Sequence, residues 1–170
     1  MPSLSNLQLT VAAMATLFGP SGLATPQAGL AFSQITPLGS GTGANQADKM
    51  YAATRTLALS AAEDLDLAGT LTDAFGATIT FARIKAMIFR ASAANTNNVV
   101  VGNAAANGFV SWCGAATHTV TVRPGGTFAL IAPDVTAYAV TPSTADLLHV
   151  LNGGAGTPVT YDVVLIGASV

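Results

Sequence analysis

The densest group of titratable residues is EDLDLAGTLTD, residues 63–73, which holds Glu63, Asp64, Asp66 and Asp73. Carboxylates two apart followed by a glycine suit a calcium loop. With Asp64 in position 1 of an EF-hand, Asp66 falls in position 3 and Gly69 in position 6. The remaining ligands fail: position 5 is Ala68, and Phe75 stands where the bidentate glutamate belongs. Alternation with period two explains the same residues. Leu65 and Leu67 then face a core, Asp64, Asp66 and Ala68 face outward, and Gly69 turns the chain. The stretch is expected to be an acidic strand face without a metal.

Other reactive arrangements are weaker. Cys113 and His118 could form a nucleophile–base pair, but only Asp134 or Asp146 could orient the base, and no family signature surrounds them. Cys113 is expected to be a small buried hydrophobe. Two histidines, His118 and His149, and one cysteine make a poor zinc set. GTGANQADK, residues 41–49, is glycine-rich and ends in lysine, yet lacks the spacing of a phosphate loop and continues with Met50. Asp134, Asp146 and Asp162 could supply paired carboxylates for a glycosidase, but at 6% aromatic the chain offers few sugar platforms. No catalytic residue and no cofactor is expected.

The elements that would have to position such groups are strands. From Tyr51 onward, short β-branched runs alternate with turn signals. They are TRTLALS (54–60), TITFARIKAMIFR (78–90), VVVG from Val99, HTVTVRP (118–124), TFALIA (127–132), TAYAVT (136–141), ADLLHVLN (145–152) and PVTYDVVLIGAS (158–169). The second run also fits a helix through Phe81, Ile84 and Ile88. A strand is preferred because the polar ANTNN turn leads straight into Val99. The expected fold is all-β: an antiparallel β-sandwich or jelly-roll-like domain over residues 51–170.

Residues 1–50 are a different material. No charged residue precedes Asp48, while Pro2, Pro20, Pro26, Pro37 and the run GSGTGANQ (39–46) punctuate the segment. That punctuation predicts an extended arm on a flexible tether, with at most a short helix from Asn6 to Phe18 capped by Ser5. The arm is nevertheless rich in large apolar side chains, unlike a disordered tail. Leu7, Leu9, Leu17, Phe18, Phe32 and Ile35 are its candidate partner contacts, folded either on their own domain or across neighbouring subunits. No Lys or Arg precedes Lys49, as a signal peptide would need, and the apolar run Leu9–Gly19 is about half a membrane-spanning helix. On that length no membrane partner is expected, and at a net charge of −2 no nucleic-acid partner is expected. Only 8% of residues are charged, against about 25% in ordinary soluble proteins, and so poor a surface points to an oligomer or a subunit of an assembly.

The strings EDLDLAGTLTDAFG, NTNNVVVG and VTYDVVLIGAS, within residues 54–170, resemble a family of small proteins that tailed bacteriophages encode among their structural genes. The resemblance implies a virion component such as a capsid decoration or cement protein, assembled in the host cytoplasm. It also implies partners in the major capsid protein or other virion subunits and no catalytic residues; of the homo-oligomers that the low charge suggests, a trimer is favoured. A tail or fibre component that binds the host surface is the alternative. Phe109 and Trp112, in the loop NAAANGFVSWCG (103–114), are its candidate contacts.

Overall fold

A computed structural model describes residues 4–20 and 22–170, and every regular element among them is a strand. Pro2 lies outside the described residues. An N-terminal hairpin is formed by β1 (Leu7–Phe18) and β2 (Gln27–Ser40), and the short β3 (Gln46–Ala47) runs parallel to the end of β2. The remaining strands are β4 (Lys49–Leu57), β5 (Ala62–Asp66), β6 (Arg83–Ala91), β7 (Val99–Gly102), β8 (Thr119–Val122), β9 (Thr127–Ile131), β10 (Tyr138–Ala139), β11 (Leu147–Asn152) and β12 (Val159–Ala168).

β4 to β12 form two antiparallel sheets. Sheet I runs β4-β12-β6, with β9 and β10 sharing the far edge of β6. Sheet II runs β5-β11-β7-β8. Their inner faces enclose one core. Sheet I contributes Phe89, Tyr161, Val163 and Leu165, and sheet II contributes Leu65, Val99, Val101, Val122 and Leu148. Phe89 and Tyr161 stack with ring centroids 5.9 Å apart, within the range for favourable aromatic pairs. The all-β, sandwich-like reading therefore holds, and residues 83–91 are strand rather than helix. Two glycines permit tight backbone contacts. A Cβ on Gly102, which has φ +110°, would collide with the His118 carbonyl oxygen. One on Gly167, at the β12 bulge, would collide with that of Arg83.

The N-terminal expectation is corrected. Residues 7–18 are neither helical nor irregular: they pair in unbroken register with β2, from Leu7↔Leu38 to Phe18↔Gln27. Pro20 and Pro26 fall in the connection between the two strands and so interrupt neither of them. Gly19 N–H donates to the Pro26 carbonyl at 2.8 Å and closes that connection.

The outer face of sheet I carries two apolar rungs, Ala52–Val164–Ile88–Ala129 and Met50–Ile166–Ala86–Ile131. The next rung is polar, with Thr54 and Arg90 both bonded to Asp162. Leu9, Leu38 and Ala47, joined by Leu4 and Leu7, pack on Ala86, Ile166, Ile88, Ile131 and Val164 as a second, smaller core. The base of the hairpin is thus seated on the apolar part of sheet I, and the rest extends past it.

Candidate functional site

Strand pairing sorts the hairpin side chains into two faces, because directly paired antiparallel residues share a face. One face carries Leu7, Leu9, Val11, Ala13, Ala15 and Leu17 with Leu38, Thr36, Gln34, Phe32, Leu30 and Ala28. It is almost wholly apolar. The other face mixes Gln8, Thr10, Thr16, Ser33 and Gln27 with Met14, Phe18 and Ile35. At the base, Leu9 is 7% exposed, but outward along the same face Leu17 reaches 74% and Phe32 51%. From Val11 to Phe18 the hairpin spans about 24 Å at the usual strand rise. It carries no charge and its register has no bulge. Charges and bulges are the usual protections of a strand edge. A two-stranded ribbon is marginal by itself in water, and beyond its base this one packs on no second layer among the described residues.

The expected flexible tether is instead a fixed loop. Gly39 N–H donates to the Asn45 carbonyl at 2.8 Å, Gly43 N–H to Gln46 Oε1 at 2.9 Å, and Asn45 N–H to the Pro133 carbonyl at 2.7 Å. Lys85, fully buried on β6, donates to the carbonyls of Gly43 (2.7 Å), Asp134 (2.5 Å) and Pro133 (3.4 Å). Burial, then the nearby Arg83 charge, lowers the Lys85 pKa, while Asp134 opposes the shift. Its ammonium ties the return of the hairpin to the loop between β9 and β10.

A second polar cluster escaped the sequence reading. Glu63 on β5 accepts hydrogen bonds from Arg55 on β4, through Nε (2.6 Å) and Nη2, and from the Tyr161 hydroxyl of β12 (2.8 Å). Arg55 Nη1 also donates to Tyr51 Oη at 3.0 Å. The cluster joins the two sheets at their β4–β5 edge. Burial, followed by the bond to Glu63, pushes the Tyr161 pKa well above the usual tyrosine range. Arg55 alternates inward with Tyr51 and Leu57, which is the only sequence signal it gives.

The remaining candidates are engaged locally. Asp64 pairs with His149 Nδ1 at 2.7 Å across β5 and β11. Asp66 Oδ1 accepts the Ala68 amide at 3.0 Å, and Asp73 Oδ1 accepts those of Phe75 and Ala77 at 2.9 Å. Among the described residues, no group of three or more His, Cys, Asp or Glu is placed to hold a metal. Asp134 Oδ1 accepts the Ala137 and Thr136 amides at 2.8 Å, bonds that hold its pKa below the usual carboxylate value. Asp146 Oδ2 accepts the Ser143 amide at 2.6 Å. The Thr54 hydroxyl and then Arg90 likewise lower the pKa of Asp162.

Cys113 and His118 line one groove of about 580 Å³ with Trp112, Phe128, Val120 and Leu130, at the β8–β9 edge of the sandwich. Among the described residues no hydrogen bond joins the pair: the Cys113 thiol donates to the Ala115 carbonyl at 3.4 Å. Burial raises the thiol pKa, the opposite of activation. Cys113 is only partly buried, which corrects its expected core position.

Of the expected partner contacts, Leu17, Phe18, Phe32 and Ile35 are exposed on the projecting hairpin. Leu9, 7% exposed, and the half-buried Leu7 pack on the chain's own sheet, and Phe109, 3% exposed, belongs to the sandwich core. Trp112 is half-buried against Phe128, and its Nε1 donates to the Phe109 carbonyl at 2.8 Å. Among the described residues no helix is long and apolar enough to cross a membrane. No family model, curated protein or solved structure matches the chain.

Proposed function

We propose that the chain is a structural virion subunit of a tailed bacteriophage, of the capsid decoration or cement type. The observation that carries this reading is the uncharged hairpin, anchored at its base and exposed over the rest of its apolar face. The strand order supports it. We read β4-β12-β6-β9 over β5-β11-β7-β8 as a jelly roll, an architecture that serves capsid shells and lectins alike. The resemblance of residues 54–170 to phage structural proteins points the same way. A cement subunit acts by mass action: binding only the assembled shell stabilises it by about 2.7 kcal/mol at a hundredfold excess over Kd. The test is immunogold labelling of purified particles, together with heat stability of shells with and without added protein. Labelled shells that melt higher with the protein support the reading; absence of the protein from purified particles overturns it.

A host-surface role in a tail or fibre is the second reading. The aromatic groove at Trp112 and Phe128 favours it, as a half-exposed indole offers a stacking surface. Label confined to the tail tip selects this reading over the first.

A further inference from the structure

We propose that the chain self-associates through the apolar face of its hairpin, with Val11, Ala13, Ala15, Leu17, Leu30 and Phe32 of sister copies packing face against face beyond the end of the sandwich. This goes beyond the virion reading and does not depend on it.

The argument starts from the area left open. On that face Val11, Leu17, Leu30 and Phe32 are exposed large hydrophobic residues, and Ala13, Ala15 and Ala28 are exposed between and beside them. These four large side chains leave on the order of 400 Å² of apolar surface open on each copy, the scale of a weak, reversible contact rather than of a permanent one. The base of the same face is already used as a packing surface, where Leu9 and Leu38 meet Ala86 and Ile166. The exposed part is its direct continuation along β1 and β2.

The occupant follows from charge and shape. In a two-fold contact both copies present the same patch, so a net charge of one sign on the face would be brought up against a charge of the same sign. The first charged residue of the chain is Asp48, so the hairpin brings no such repulsion. Along β1 the small Ala13 and Ala15 lie between Val11 and Leu17, opposite Phe32 and Leu30. That alternation of small and large side chains lets two such sheets interdigitate at the usual ~10 Å separation. The mixed face, where Gln8, Thr10, Thr16, Ser33 and Gln27 stand among Met14, Phe18 and Ile35, lies on the opposite side of the ribbon and takes no part in the contact. A sister copy supplies the matching length and polarity, and gives the ribbon the second layer it lacks.

The experiment is sedimentation velocity with light scattering on the full chain. Leu17→Asp with Phe32→Asp is compared with Thr16→Asp with Ser33→Asp on the other face. We expect a wild type larger than the 16.9 kDa monomer, and a dissociation constant raised about a hundredfold or more in the first variant, since association would bury unpaired carboxylates. The second variant should associate like the wild type. Melting temperature and the near-ultraviolet signal of Trp112 report whether the sandwich stays folded. Ala15→Cys in a Cys113→Ser background provides an independent reading: oxidation should link copies through the introduced thiol, whereas Thr16→Cys in the same background should not. A monomeric wild type, equal loss of association in both charge variants, or no preference for linkage in the Ala15→Cys variant overturns the proposal. The first of these outcomes would assign the face to a different macromolecule.

Discussion

Lys85 Nζ donates to the carbonyl oxygen of Gly43 across 2.7 Å, 42 residues back along the chain, and so fixes where the hairpin leaves the sandwich. Without the ammonium, the carbonyls of Gly43, Asp134 and Pro133 lose a buried donor. Lys85→Met is therefore expected to reduce stability by about 1–3 kcal/mol. It should also speed hydrogen exchange at Asn45, whose amide is bonded to the Pro133 carbonyl. Denaturant melts and exchange mass spectrometry measure both. Unchanged exchange at Asn45 would show that the loop holds itself without Lys85.

The Tyr161 hydroxyl gives a pH prediction with a definite sign. Its pKa is raised in the fold, chiefly by burial and then by its bond to Glu63. Above the ordinary tyrosine value of about 10, the unfolded state loses this proton while the folded state keeps it, so stability falls as pH rises. Lys85, with its lowered pKa, contributes in the opposite direction through the range below its ordinary value. The comparison is accordingly between wild type and Tyr161→Phe. The variant should be less stable near neutral pH yet lose less between about pH 9 and 11, the range that brackets the ordinary tyrosine value, as read from denaturation midpoints. Parallel curves would refute the assignment.

The acidic stretch at residues 63–73 is expected to be indifferent to calcium. Asp64→Asn with Asp66→Asn removes the His149 contact, an exposed pair worth under about 1 kcal/mol. It should leave the melting temperature equal in calcium and in chelator. A large chelator-induced drop in the wild type would restore a metal to this loop.

Most of the sandwich was legible because its signals are local. Pro124, Gly125 and Gly126 mark one turn, and HTVTVRP and PVTYDVVLIGAS carry strand chemistry in their own sequence. The hairpin was misread because Pro20 and Pro26 look like breakers, although they fall between β1 and β2. The period-two signal was present in Leu7, Leu9 and Val11 against Gln8 and Thr10. The glycine-rich loop looked flexible because what fixes it, Lys85, is distant in sequence. Arg55 and Glu63 are only eight residues apart, but they lie on strands of different sheets, so period-two alternation within a strand does not reveal their pairing; Phe109 is drawn into the core by residues far along the chain.

The final prediction separates the anchor of the hairpin from its projection. Val11 and Gln34 are directly paired, so replacing residues 12–33 with Asn-Gly joins them by a two-residue turn that suits a hairpin. This variant keeps Leu9 and Leu38 on Ala86 and Ile166. Its sandwich should melt within a few degrees of the wild type, while association is lost. Removing residues 1–38 instead strips the cover from Ile166, Ile131 and Val164. At about 1.5–3 kcal/mol for each buried leucine, the loss of Leu9 and Leu38 should destabilise the sandwich by roughly 3–6 kcal/mol. Thermal and denaturant unfolding of the two truncations measure the difference. Equal destabilisation would mean that the outer part of the hairpin also supports its own domain, and its exposed leucines and phenylalanines would then not be reserved for a partner.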